Sequence, residues 1–89
     1  MSNKHTILLV EDEEESGEML ANFLELNNYE VLWAKDGKKA FEYIDDNAND
    51  LHLAILDIMV PHHDGKEICS YIRKHPVVYE IPVLFLTAR

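Results

Sequence analysis

The sequence predicts a doubly wound α/β fold, in which helices cover both faces of a parallel sheet. First, short apolar runs of strand length alternate with segments of helical periodicity along all 89 residues. Second, the run at residues 6–10 is continuously apolar after its threonine, which is typical of a strand buried on both faces. Third, acidic residues follow two of the runs, where such folds carry their chemistry. The length supports one hydrophobic core and therefore one domain.

The first predicted helix covers residues 13–27 and is amphipathic. Its acidic first turn suits the positive end of the helix dipole. Asn27 and Asn28 suit its C-terminal end, where the chain must leave the helical conformation. Four apolar residues at helical spacing form its predicted inward stripe: Met19, Leu20, Phe23 and Leu24.

Three more strands and two more helices are predicted after this helix. The strands cover residues 30–34, 51–56 and 83–87. The second helix covers residues 38–46 and follows a turn at Asp36 and Gly37. The third helix covers residues 65–74 and ends before Pro76, because proline lacks the backbone donor and blocks continuation. The predicted order is therefore (βα)3β.

The negative charge is concentrated in the first half of the chain. The net charge is -9, and residues 1–50 hold 13 acidic and 4 basic side chains. Such a chain repels nucleic-acid phosphates and anionic lipids, so we expect no direct binding to nucleic acid or membrane. Cys69 is the single cysteine, which excludes an internal disulfide. Because neither a membrane-spanning run nor a signal-peptide pattern is present, we expect a cytoplasmic location.

Carboxylates follow two of the predicted strands. Glu11 and Asp12 follow the first strand, and Asp57 follows the third. If these strands are parallel neighbours, the three carboxylates converge at one edge of the sheet. Unit charges about 4 Å apart repel by roughly 4 kcal/mol at an effective dielectric of 20, so the cluster needs protonation or a counter-ion. Hard oxygen ligands at this density suit Mg²⁺. Thr87 ends the fourth strand and adds a hydroxyl donor, which completes a plausible phosphoryl-transfer site.

Four segments carry a resemblance to a known family. They are Ile-Leu-Leu-Val-Glu-Asp-Glu at residues 7–13, Asp-Gly at 36–37, Leu-Asp-Ile-Met-Val-Pro at 56–61 followed by Asp-Gly at 64–65, and Ile-Pro-Val-Leu-Phe-Leu-Thr-Ala at 81–88. In their order and spacing the chain resembles the receiver domains of bacterial two-component response regulators from residue 6 to residue 89. The resemblance implies a flavodoxin-like sheet and a phosphorelay function that switches an output domain or partner protein.

The resemblance also implies a role for each matching residue. Asp57 would be the phosphoacceptor that receives a phosphoryl group from a sensor histidine kinase. Glu11 and Asp12 would bind Mg²⁺ with Asp57 and with the backbone carbonyl of Met59. Thr87 would be the switch hydroxyl that turns toward the phosphate. Such a domain is not an enzyme, beyond catalysing its own phosphorylation and dephosphorylation.

The chain departs from the family pattern after the fourth strand. Receiver domains continue with a fifth strand and a fifth helix, and a lysine near the start of that segment pairs with the phosphate. Lys66 and Lys74, in the predicted third helix, do not match that lysine. We therefore expect residues 1–89 to form a single receiver domain that is incomplete at its C-terminus. The alternative is a truncated core without phosphoryl-transfer competence, which self-associates into a homo-oligomer through its uncovered sheet edge and face.

Two other classes of protein share parts of this pattern. A flavodoxin-like electron carrier needs a Ser/Thr/Gly-rich phosphate cradle after its first strand, whereas residues 11–15 are all acidic. A haloacid-dehalogenase-like phosphatase also uses an aspartyl nucleophile and Mg²⁺, but in an Asp-x-Asp arrangement after its first strand. The sequence Glu11-Asp12-Glu13 matches that arrangement poorly.

His62 and His63 are adjacent in a loop and make a poor pair of ligands for one transition-metal ion.

Overall fold

The computed structural model describes residues 4–58 and 64–86, and within them strands and helices alternate strictly. The four strands are β1 (Thr6–Val10), β2 (Glu30–Ala34), β3 (Leu51–Asp57) and β4 (Val83–Leu86). The three helices are α1 (Glu14–Leu26), α2 (Gly37–Asn47) and α3 (Gly65–Lys74). All strand pairs are parallel in the order β2-β1-β3-β4, which confirms the predicted doubly wound architecture. No helix among these described residues is long and apolar enough to cross a membrane.

The strand β1 lies inside the sheet, and all five of its residues are buried. Successive side chains point to opposite faces of a strand. Leu8 and Val10 accordingly pack into the core beneath α2 and α3, whereas Ile7 and Leu9 pack beneath α1. The continuous apolar run in the sequence therefore reflects burial on both faces of the sheet, as predicted.

The helix α1 buries a different stripe from the predicted one. Gly17, Ala21 and Leu24 are its buried residues. Met19 and Phe23 are 69% and 60% exposed, so the prediction that these two side chains face inward is wrong. The small residues at 17 and 21 let the helix lie close to the sheet on that side, and this orientation turns Met19 and Phe23 away from it. Hydrophobicity alone does not reveal a stripe that is built on glycine and alanine.

The C-terminal end of α1 follows the prediction for its two asparagines. Asn28 has a φ of 72°, in the left-handed region that asparagine adopts more readily than most residues. The Asn27 side-chain amide donates to the carbonyl of Phe23 at 2.8 Å. The backbone N–H of Tyr29 donates to the carbonyl of Leu24 at 3.1 Å. These bonds satisfy carbonyls of the last helical turn as the chain enters β2.

An aspartate caps each helix on the opposite face of the sheet. The Asp36 side chain accepts from the backbone N–H of Lys39 at 2.8 Å, and the Asp64 side chain accepts from that of Glu67 at 2.8 Å. The helix α2 begins at Gly37, one residue earlier than predicted, because Asp36 is its cap rather than part of a separate turn.

The strand β4 lies at one edge of the described sheet and pairs with β3. Leu86 packs into the core beneath α1, so alternation places Leu84 on the same face and Phe85 on the opposite face. Leu84 is 56% exposed and Phe85 is 40% exposed. Within the described part of the chain, β4 therefore presents apolar side chains on both faces of the sheet.

Candidate functional site

The structure brings together the three carboxylates that were predicted to converge. Glu11 and Asp12 directly follow β1, and Asp57 is the last residue of β3. Val10 and Leu56 are register partners, so β1 and β3 end side by side at the carboxyl edge of the sheet. One carboxylate oxygen from each of the three acidic residues lies within 4.8 Å of the others.

Burial makes the charges of this cluster interact strongly. Glu11 is 3% exposed and Asp57 is 1% exposed, whereas Asp12 is exposed to solvent. Two ionised carboxylates at this separation repel by about 3 kcal/mol at an effective dielectric of 20. A divalent cation would offset this repulsion. Three carboxylates with one on the solvent side fit Mg²⁺, which binds a few protein oxygens and keeps several waters.

The backbone around Glu11 is held on both sides. Its N–H donates to the carbonyl of Ala34 at 3.1 Å, and its carbonyl accepts from the indole Nε1–H of Trp33 at 2.9 Å. Its carboxylate Oε2 accepts from the backbone N–H of Glu13 at 3.0 Å. The role of Trp33 was not predicted from the sequence. The available signal was Gly17, because a glycine inside a helix costs stability and indicates a close packing contact.

The end of β3 is held by the start of α3. The N–H of Gly65 donates to the carbonyl of Ile58 at 2.7 Å. A Cβ atom at Gly65 would lie 2.7 Å from the backbone oxygen of Asp57 and 2.9 Å from Cα of Ile58. Glycine is therefore required for α3 to begin against the backbone that carries Asp57. This contact gives the Asp-Gly motif at residues 64–65 a physical reason at the site.

The strand β4 runs toward the same edge of the sheet. Leu86, which precedes Thr87, is the register partner of Asp57. The carbonyl of Leu86 accepts from the N–H of Ile58 at 3.4 Å. The predictions for four residues lie outside the described residues and stay predictions: Met59, His62, His63 and Thr87.

A second polar cluster joins α2 to α3 and contains none of the predicted site residues. The Tyr71 hydroxyl donates to the two carboxylate oxygens of Asp45 at 2.7 and 2.9 Å, and this hydrogen bond raises the pKa of Tyr71. Nδ1 of His75 accepts from the N–H of Val77 at 3.1 Å, and Nε2 of His75 lies 3.4 Å from a carboxylate oxygen of Asp45. This cluster was not predicted from the sequence, because its members are separated along the chain.

Comparison with known proteins places the chain in a sequence family. Residues 7–89 match the family model of the response regulator receiver domain. The chain is 48% identical over 85 residues to the uncharacterized transcriptional regulatory protein YrkP of Bacillus subtilis (strain 168), a match that covers 96% of this chain and 34% of that protein. It is 37% identical over 83 residues to the alkaline phosphatase synthesis transcriptional regulatory protein PhoP of the same organism, covering 93% and 33%.

Solved structures agree with these sequence matches. The non-phosphorylated HemR receiver domain from Leptospira biflexa is similar with a TM-score of 0.84 and 40% sequence identity, over 97% of this chain and 66% of that chain. The chain thus spans about a third of the length of the curated relatives and about two thirds of this receiver domain.

Proposed function

This chain belongs to the response regulator receiver family, and on that premise we propose that it is a phosphorelay module that accepts a phosphoryl group on Asp57 with Mg²⁺. The phosphoryl donor would be a phosphorylated histidine of a sensor kinase. The observation that carries the proposal is the convergence of Glu11, Asp12 and Asp57 within 4.8 Å at the carboxyl edge of the sheet. Receiver domains are signalling domains rather than enzymes, and turnover by this chain would be limited to its own phosphorylation and dephosphorylation.

The reaction needs a nucleophile, neutralised charge and accurate positioning. A carboxylate oxygen of Asp57 attacks the phosphorus atom of the phosphohistidine. A new P–O bond forms, and the P–N bond breaks with its electron pair leaving on the histidine nitrogen. Mg²⁺, when bound, offsets negative charge on the phosphoryl oxygens. The proposed ligands are Glu11, Asp12, Asp57 and the carbonyl of Met59, and the hydroxyl of Thr87 donates to the phosphoryl group.

The proposed partners follow from the family and from the charge of the chain. A sensor histidine kinase supplies the phosphoryl group, and an output domain or partner protein responds to it. The names of YrkP and PhoP state a role in transcription, which supports an output that acts on gene expression. The net charge of -9 argues against direct nucleic-acid binding by residues 1–89, so any DNA contact belongs to the output domain. A cytoplasmic location is part of this proposal.

Phosphorylation with a small phosphodonor tests the proposal. Incubation with Mg²⁺ and acetyl phosphate is expected to add the mass of one phosphoryl group to the intact chain. The adduct should be absent in Asp57→Asn and present in Asp50→Asn, a matched control that removes one exposed carboxylate. Equal phosphorylation of all three chains would contradict the role of Asp57, and an unmodified wild-type chain would favour the second candidate below.

The second candidate is a receiver core that lacks phosphoryl-transfer competence and self-associates through β4. The observation that favours it is the exposure of Leu84 and Phe85, at 56% and 40%, on the strand at the edge of the described sheet. An edge strand with unpaired backbone groups and apolar side chains is a template for pairing with another chain. A second copy of this chain would then cover the edge and the adjoining face.

Sedimentation velocity over a range of concentrations tests self-association. We expect the wild-type chain to form a homo-oligomer, and we expect Leu84→Lys to shift it toward monomer because a lysine on the strand opposes close pairing. The matched control is Leu26→Lys, since Leu26 is 87% exposed at the end of α1 and lies outside the sheet. A wild-type chain that stays monomeric at high concentration would rule out this candidate.

A further inference from the structure

Trp33 is the single tryptophan of the chain and lies in β2 beside β1, where its register partner is Leu9. Its indole fills the space that a side chain at Gly17 would occupy. A Cβ atom at Gly17 would lie 2.0 Å and 2.4 Å from two carbon atoms of the ring. Because Gly17 has no side chain, the indole can occupy this space against α1.

In this position the indole contacts the backbone of the acidic cluster. Its Nε1–H donates to the backbone carbonyl of Glu11 at 2.9 Å. That carbonyl belongs to the peptide group that joins Glu11 to Asp12, and these are two of the three clustered carboxylates. Because a peptide group is planar, a bond to its oxygen restrains the rotation of the whole group. One hydrogen bond thus influences the direction in which two carboxylate side chains leave the backbone.

The bond from Trp33 and the bond between Glu11 and Ala34 act on different peptide groups. The N–H of Glu11 donates to the carbonyl of Ala34 at 3.1 Å, which restrains the peptide group before Glu11, whereas Trp33 restrains the peptide group after it. The ammonium group of Lys35 lies 4.8 Å from the centroid of the Trp33 ring and pairs with Glu14 at 3.0 Å. This exposed ion pair is weak, but it links the ring to the first turn of α1.

We propose that Trp33, seated against Gly17, is a positioning residue for the metal site and orients the peptide between Glu11 and Asp12 so that both carboxylates face Asp57. This inference rests on the Mg²⁺ site of the proposed function. Loss of a group that orients a metal ligand typically lowers metal affinity about 10–100-fold. Trp33→Phe keeps an aromatic ring but removes the N–H donor. Because the lost bond is to the backbone carbonyl of Glu11 and not to a ligand atom, we expect the lower end of this range, a Mg²⁺ dissociation constant raised about tenfold.

Isothermal titration calorimetry with Mg²⁺ tests this inference without relying on phosphorylation or on tryptophan fluorescence. The chains to compare are the wild type, Trp33→Phe, Gly17→Ala and Tyr71→Phe. In Gly17→Ala the added Cβ displaces the indole, so the same loss of affinity is expected. Tyr71→Phe is the matched control, because it also removes one donor from an aromatic side chain but acts between α2 and α3. Urea unfolding without Mg²⁺ establishes that every chain is folded at the titration temperature.

Calorimetry and urea unfolding together distinguish a positioning role of Trp33 from a contribution to general stability. A purely structural role for Trp33 lowers the free energy of unfolding and leaves the dissociation constant of the folded chain unchanged. The double variant Gly17→Ala/Trp33→Phe is expected to lose little more affinity than either single variant, because both changes remove the same hydrogen bond. Wild-type affinity in Trp33→Phe would overturn the positioning role alone. Absence of Mg²⁺ binding in the wild-type chain would overturn the metal site and this inference together.

Discussion

Asp57 is a carboxylate that the protein buries almost completely and places beside two further carboxylates. It is 1% exposed, and oxygen atoms of Glu11 and Asp12 lie within 4.8 Å of it. Like charges in a poorly solvated site repel, and a bound cation would offset that cost. Functional sites commonly carry such a cost, since the same arrangement binds a metal and a reacting group.

The charge repulsion predicts opposite effects of Asp57→Asn with and without Mg²⁺. In a chelating buffer the variant should be more stable than the wild type by about 1–3 kcal/mol, because one of the repelling charges is gone. At a Mg²⁺ concentration of about a hundred times the dissociation constant, the wild type should gain about 2.7 kcal/mol, and the variant much less. Urea unfolding in the two buffers measures both effects.

The control for this comparison is Asp50→Asn, which removes one exposed negative charge. It should leave the stabilisation by Mg²⁺ unchanged. The same gain in stability on adding Mg²⁺ to Asp57→Asn and to the wild type would show that Asp57 is not a ligand.

At the scale of the elements, the ends of β1 and β3 could be predicted from the sequence, and the contacts that hold them could not. Acidic residues after two apolar runs predict convergence, because the ends of parallel strands meet at one edge of the sheet. The bond from Trp33 to Glu11 depends on how α1 lies on β2, and a glycine and an alanine set that packing. The prediction that Met19 and Phe23 face inward failed for the same reason, since the inward stripe of α1 is built on small residues.

The contact between α2 and α3 has its own pH dependence. Tyr71 donates to Asp45, and this bond raises the pKa of Tyr71 above its ordinary value of 10.0. The pKa of Tyr71 in the folded state exceeds that in the unfolded state. The contribution of this hydrogen bond to stability is therefore fully present below pH 10 and is lost as the pH rises through the raised pKa. Spectrophotometric titration should therefore show that Tyr71 ionises above the ordinary value for a tyrosine.

The variant Asp45→Asn should return the pKa of Tyr71 toward its ordinary value, because the charged acceptor is gone. Asp46→Asn is the control, since it removes a neighbouring exposed carboxylate without touching this bond. Identical titration curves for wild type and Asp45→Asn would contradict the coupling between the two helices.

At the scale of the whole molecule, the order β2-β1-β3-β4 explains why three carboxylates meet at one edge of the sheet. β1 and β3 lie next to each other inside the sheet, so their carboxyl ends lie side by side and their acidic residues become neighbours. The alternation of strands and helices could be read from the sequence, because a parallel sheet imposes it. The surface that β4 presents on both faces could not be described from the pattern alone, since exposure depends on what covers the strand.

The position of the phosphoryl group after reaction tests the central claim most directly. Borohydride reduces an aspartyl phosphate to homoserine, which marks the modified residue for peptide mass spectrometry. After treatment of the chain with acetyl phosphate and Mg²⁺, we predict homoserine at residue 57 and nowhere else, and no homoserine when Mg²⁺ is chelated. Modification at Glu11 or Asp12 with residue 57 unchanged, or no modification with Mg²⁺ bound, would contradict the assignment of Asp57 as the phosphoacceptor.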